Sequence, residues 1–263
     1  MGTSVIVVDA FTDRPFRGNP AAVCVLDHPA DDGWMQAVAR EVNLSATALV
    51  HRDDTLWHLR WFSLHRELDL CGHATLATTH VLSHEHEVPG PIRYSTRSGL
   101  LAAQSFADTV VLDFPADPPA PADAPQGMLA ALGVPDDTPV QRGRLDYVVL
   151  LDTAAAVRSL RPAFGLLRRV ECRGVIVTAT ADPDDDAEVV SRFFAPSVGI
   201  DEDPVTGSAH CILGPLWFDR LGVDRVRFRQ ISARGGELEV ARAGDRVEIS
   251  GRAVVTLRGE LVV

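Results

Sequence analysis

Two stretches of this chain repeat each other, and each ends in groups suited to protons and anions. Arg60-Trp61-Phe62-Ser63 runs to Asp69-Leu70-Cys71-Gly72-His73-Ala74, and Arg192-Phe193-Phe194-Ala195 runs to Asp203-Pro204-Val205-Thr206-Gly207-Ser208-Ala209. Each reads as an Arg-aromatic-Phe strand, an acidic loop, a tight Gly turn and a small-residue helix start. Aligning the Gly-x-Ala cores pairs His73 with Ser208. A helix start carries N–H groups without intrahelical partners and the positive end of a dipole, so it attracts anions. Gly72 and Gly207 let the chain turn tightly and let a ligand approach the backbone. Their amides, with those of His73 and Ser208, are the expected donors to a substrate carboxylate. A single such glycine is an ordinary turn residue, but repetition of the whole unit argues for a site.

His73 is the expected proton carrier of the first copy, because a helix N-terminus lowers a histidine pKa and favours neutral imidazole. Asp203 is its counterpart in the second. An acid and a base on opposed faces of one molecule take a proton from one carbon and return it elsewhere. Asp69 and Glu202 share the acidic loops as lesser participants, and His80, His84 and His86 read as a solvated cluster. Cys71 and Cys211 would permit two-thiol racemisation, yet one precedes its motif glycine while the other lies beyond Ser208. A zinc site from Cys71, His73, His210 and Cys211 matches no ordinary ligand spacing, and the thiols read as small buried hydrophobes.

The elements that must position these groups follow from periodicity. Val5–Phe11 and Asn19–Leu26 read as strands, Asp31–Val42 as a helix, Leu56–Phe62 as a strand and Ala74–Leu82 as an apolar helix. Leu100–Phe106 and Thr109–Phe114 form a hairpin. Pro115–Pro125, rich in Pro, Ala and Asp, reads as an exposed connector. The order then recurs: a helix at Gly127–Leu132, strands at Tyr147–Leu151, Gly174–Thr178 and Arg192–Phe194, a helix over Ala209–Leu221, and late strands at Arg246–Ser250 and Ala253–Leu257. The expected class is α+β, with two mixed sheets each wrapped around a helix that begins at a motif glycine. Residues 1–115 form the N-terminal half, 116–126 the connector and 127–263 the C-terminal half, the last strands being free to cross back. The chemistry is expected in the crevice between the two helix starts.

Composition narrows the classes further. The 263 residues are enough to bury sizeable cores. A net charge of −11 argues against nucleic acid as a partner. The chain contains no lysine, which removes Schiff-base chemistry, a pyridoxal anchor and a P-loop. There is no Gly-x-Gly-x-x-Gly fingerprint. Neither a cofactor nor a metal is therefore expected. No apolar run approaches the roughly 20 residues of a membrane span. The opening Met1–Val8 reads as a strand rather than an export signal, and the four scattered cysteines fit reduced thiols, so the expected compartment is the cytoplasm.

Asp9-Ala10-Phe11-Thr12, Gly18-Asn19-Pro20-Ala21, Leu68–Thr75, Glu202–Cys211 and Ile249-Ser250-Gly251 together resemble the PhzF-like (phenazine biosynthesis protein-like) isomerases, nearly end to end. The resemblance implies a diaminopimelate-epimerase-like fold of two pseudo-symmetric halves, each a curled sheet around a central helix. It also implies cofactor-free proton transfer on a small carboxylate, commonly in a homodimer. Catalytic roles carry over to His73 and Asp203, and substrate contacts to Gly72 and Ser208. Gly207 joins them through the repeat. One departure matters: the family usually reads Ser-Glu-Thr after Asn-Leu, with the Glu as principal proton carrier. Here the segment is Asn43-Leu44-Ser45-Ala46-Thr47, and a methyl group shuttles no proton; Ser45 is retained as a substrate contact.

The leading expectation is a cofactor-independent isomerase that shifts a proton, and with it a double bond, in a small unsaturated or amino carboxylic acid. The lysine-free, Ala- and Arg-rich composition suggests a GC-rich source, and for such a source the family resemblance implies a secondary-metabolite pathway, such as one making alkylated proline units for antibiotics. The alternatives are a non-catalytic small-acid binding protein and a two-thiol amino-acid epimerase.

Overall fold

A computed structural model describes residues 2–262 and divides the chain into two units. The first contains the residues up to Phe114 and those from Glu248 onward; the second runs from Pro115 to Val247.

The first unit opens with β1 (Thr3–Ala10), β2 (Asn19–Leu26), α1 (Asp32–Val42) and β3 (Ala46–Arg52). It continues with β4 (Trp57–Phe62), β5 (Glu67–Leu68), α2 (Gly72–His84), β6 (Ile92–Thr96), β7 (Gly99–Phe106) and β8 (Thr109–Pro115). Asp31 caps α1 by accepting from the Gly33 and Trp34 amides at 2.8 and 3.2 Å, and Asn43 ends it in a left-handed conformation. The helix carries the chain across to a parallel neighbour, so β2 pairs with β3 in parallel and β4 returns antiparallel.

Helix α2 is buried over most of its length and packs on β1, β2, β3 and β7. A helix apolar all round belongs inside a core. It starts two residues before the expected Ala74 and ends two beyond Leu82. Its buried threonines return their hydroxyls to the helix: Thr75 donates to Cys71 O, Thr78 to Ala74 O and Thr79 to Thr75 O, at 2.7 to 2.8 Å.

In the second unit, β9 (Ala120–Pro121), α3 (Met128–Leu132) and β10 (Val140–Arg142) precede β11 (Asp146–Leu150), α4 (Ala154–Ser159) and α5 (Phe164–Leu167). Then come β12 (Gly174–Thr180), β13 (Val189–Ala195), β14 (Ile200–Asp203), α6 (Gly207–Leu221), β15 (Arg225–Gln230), β16 (Gly236–Ala243) and β17 (Arg246–Leu261). From Glu248, β17 belongs to the first unit, where it pairs antiparallel with β1 from Leu261 to Ala253. Residues 116–126 are tied into the second unit rather than hanging free. Pro121 pairs with Gln141 in β10. Pro215 inside α6 has no N–H, which leaves the Cys211 carbonyl open, and the Asp117 amide donates to it at 3.0 Å.

The pairing pattern repeats between units. β11 and β12 are parallel, β13 returns antiparallel, and β14 pairs antiparallel with β13, as β5 does with β4. Even the arginines of the repeated motif do the same work. Arg60 forks Glu67 at 2.7 and 2.8 Å and stacks over Phe62; Arg192 forks Glu202 at the same distances and stacks over Phe194. The motif Arg and the acidic residue Glu202 are therefore structural partners.

The Asp9–Thr12 and Gly18–Asn19 motifs are explained by one tight corner. Asp9 accepts from the Phe16 amide at 2.7 Å, and Phe11 sits buried with φ of 63°. Gly18 has φ of 63°, and a Cβ there would meet the Ala10 carbonyl and lie 2.8 Å from Thr12 Cγ2. Gly18→Ala is expected to cost at least about 1–3 kcal/mol from the left-handed backbone alone. Thermal unfolding should show it as a clearly lowered first-unit midpoint.

Candidate active site

His73 is the second residue of α2, only 7% exposed, and its ring is held from two sides. Asn19, which opens β2, places Nδ2 at 3.3 Å from His73 Nδ1. Ser45, the residue before β3, places Oγ at 3.3 Å from His73 Nε2 and donates to Asn19 Oδ1 at 3.0 Å. With Asn19 Nδ2 donating to Nδ1, Nε2–H donates to Ser45, whose single proton is shared between Asn19 Oδ1 and the Pro20 carbonyl, each 3.0 Å away. That assignment is the neutral imidazole with its proton on Nε2. Burial pulls the His73 pKa down to about 4, so the ring is uncharged at neutral pH. The neutral imidazole expected at this helix start is thus reached by desolvation.

The second cluster lies around the start of α6. Asp203, 7% exposed, accepts a short hydrogen bond from the Thr206 hydroxyl through Oδ2. Gln230, at the end of β15, clamps the loop between them. It accepts from the Thr206 amide at 2.9 Å and donates to Asp203 O at 2.7 Å. Gln230 is 1% exposed. Ser208, second residue of α6, accepts from Arg173 Nη2 at 3.1 Å. Arg173 is bound through Nε and Nη2 to the fully buried Asp146. The Asp203 charge also favours the Arg173 cation. Burial pushes the Asp146 carboxyl up, with Arg173 opposing it.

These clusters occupy matching seats. Asn19 and Asp146 open β2 and β11; Ser45 and Arg173 immediately precede β3 and β12; His73 and Ser208 each follow the first glycine of a helix. Gln230, Arg173 and Asp146 were not found from sequence. Extending the repeat alignment back to the strand starts would have paired Asn19 with Asp146 and Ser45 with Arg173.

Both helix starts are open. Cys71 and Thr206, at the two N-cap positions, make no capping bond through their side chains. The amides of Gly72, His73, Gly207 and Ser208 meet no acceptor among the described residues. Such donors accommodate an oxyanion. Ala46, first residue of β3, is fully buried and adjoins Ser45.

The thiols are unequal. Cys71 Sγ lies 3.6 Å from His73 Nδ1. Cys211 donates back to Gly207 O at 3.8 Å, and burial pushes its pKa up to about 12. A thiol so held is a poor acid–base partner at neutral pH. Among the described residues no group of three or more His, Cys, Asp or Glu side chains could hold a metal ion. Among the described residues no helix is long and apolar enough to cross a membrane.

A family model described as phenazine biosynthesis-like protein matches residues 8–259. An uncharacterized isomerase of Pseudomonas aeruginosa is 47% identical over 262 residues, 99% of each chain. The crystal structure of a PhzF-family protein from Enterococcus faecalis superposes with a TM-score of 0.93 at 38% identity, covering 100% of both chains. A hydroxyproline epimerase from Agrobacterium vitis, solved with bound trans-4-hydroxy-L-proline, shares the fold with a TM-score of 0.65 at 13% identity, over 98% of this chain and 92% of that one.

Proposed function

The chain belongs to the PhzF-like, phenazine biosynthesis-like family, whose bacterial relatives are named isomerases, and from that membership we propose an isomerase that moves a proton within a small carboxylic acid. His73 and Asp203 are the proposed proton carriers, and Ser45, Gly72, Gly207 and Ser208 the proposed substrate contacts. The observation that supports this best is the His73 ring: uncharged, locked in one tautomer, and seated at an open helix start. A neutral imidazole can accept or donate a proton without first losing one to solvent. The open amides supply fixed dipoles for the carboxylate as charge develops on it. No step calls for a cofactor.

The finer proposal is that the acid is conjugated. Ala46 stands where relatives are expected to carry a carboxylate, and an extended π-system stabilises a carbanion with fewer protein groups. An unsaturated alkylproline unit fits that description, as do other conjugated amino acids.

Solvent exchange tests the reading. The protein is incubated in D2O with L-proline, trans-4-hydroxy-L-proline and a series of conjugated unsaturated acids, and carbon-bound deuterium is measured by mass spectrometry. Exchange is expected in the conjugated acids first. Absence of exchange in any acid that binds would favour a non-catalytic binding protein instead. Ala46→Glu places a desolvated carboxyl beside Ser45, with its pKa raised toward neutrality. It should increase exchange in unconjugated acids by about 10²-fold. No increase would show that the seat of Ala46 is not the missing position.

A further inference from the structure

The Ser208 hydroxyl has one proton and two lone pairs. One lone pair is taken by Arg173 Nη2 at 3.1 Å, so the proton points away from the guanidinium. Among the described residues that proton meets no acceptor. A serine near a helix start ordinarily turns its hydroxyl onto a nearby backbone group. Here Arg173 holds it out of that arrangement, and Asp146, fully buried, holds Arg173. The first unit does the same from the same seats, where Asn19 and Ser45 set the polarity of the His73 ring.

We propose that Asp146 and Arg173 are positioning residues that make the Ser208 hydroxyl an obligate hydrogen-bond donor to a carboxylate oxygen of the substrate. The assignment rests on the reading that Ser208 touches the substrate acid. It adds a direction: the second unit, with Arg173 behind its serine, grips the carboxylate. A hydroxyl whose oxygen already accepts from a guanidinium is polarised, and its hydrogen bond to an anion is strengthened. Asp146 cancels the guanidinium charge, so the attraction comes from directed donors rather than from net charge. Asp203 nearby would repel an undirected anion, which makes the direction of that O–H matter more.

The test must avoid stranding a buried charge, since losing one partner of such a pair is strongly destabilising. Asp146→Asn combined with Arg173→Met removes both charges together, and Ser208→Ala is the reference. Binding is measured by titration calorimetry with benzoate, L-proline and trans-4-hydroxy-L-proline. Ser208→Ala should weaken the tightest of the three by about tenfold, the worth of one charge-assisted hydrogen bond. The double variant should lose the same factor, and the triple variant no more than the double. Losses that multiply, or wild-type binding in the double variant, would overturn the assignment. Crystal structures of the unliganded wild type and double variant decide the positioning role separately. The Ser208 hydroxyl should swing back toward the Pro204 or Val205 carbonyl once Arg173 is gone; an unchanged rotamer would refute it. Failure of all three acids to bind the wild type, with the swing observed, would count against the small-acid reading and not against the positioning pair.

Discussion

His73→Gln is expected to slow deuterium incorporation by about 10²–10⁴-fold, the range for losing a positioned general acid or base. Glutamine keeps a polar side chain in a seat where Asn19 and Ser45 need hydrogen-bond partners, so the fold should hold. What it lacks is a group that exchanges protons near neutral pH. Because burial keeps the imidazole neutral down to about pH 4, loss of exchange near pH 6.5 in the wild type would not be the titration of His73. Asp203→Asn, measured in the same assay, is likewise expected to slow exchange by about 10²–10⁴-fold if Asp203 carries a proton. A folded His73→Gln protein that exchanges within twofold of wild type would remove His73 from the reaction.

Acid should destabilise both units well above pH 4. His73 in the first unit and His210 in the second are both buried and both drawn from 6.5 to about 4 by desolvation. The unfolded chain takes up protons at 6.5 that the native state refuses. The stability contributed by each neutral ring is thus complete above pH 6.5 and is lost as pH falls toward 4. By pH 5 the loss is about 2 kcal/mol per histidine. That is a large share of a typical total of about 5–15 kcal/mol. His80, also drawn to about 4, acts in the same direction in the first unit. Asp146 acts oppositely in the second: burial raises its carboxyl, so acid relieves a cost there. Urea unfolding at pH 7 and pH 5 measures the difference. His210→Asn can keep the donor to the Thr206 carbonyl, which His210 Nδ1 approaches at 2.8 Å, while removing the titration. It should flatten the fall in the second unit. Stability at pH 5 equal to that at pH 7 would contradict the burial argument.

The chain announces much of this arrangement locally. Gly72-His73 and Gly207-Ser208 are legible as helix starts because a turn, a glycine and a small-residue helix are short-range signals, and their repetition exposes the two units. His73 and Asp203 stand out for the same reason. The Asp31 cap and the parallel order around α1 are equally local. Asp146 and Arg173 were invisible because they are 27 residues apart and each looks like an ordinary surface charge in sequence. Only the parallel pairing of β11 with β12 sets them side by side. Gln230 meets Thr206 across 24 residues for a similar reason.

Sequence alone determined which groups stand at the helix starts, since that depends on neighbours a few bonds away. Tertiary structure decided their protonation and hydrogen-bond direction. Those depend on how completely water is excluded and on which distant side chains fill the lone pairs, as Asn19 does for His73 and Arg173 for Ser208.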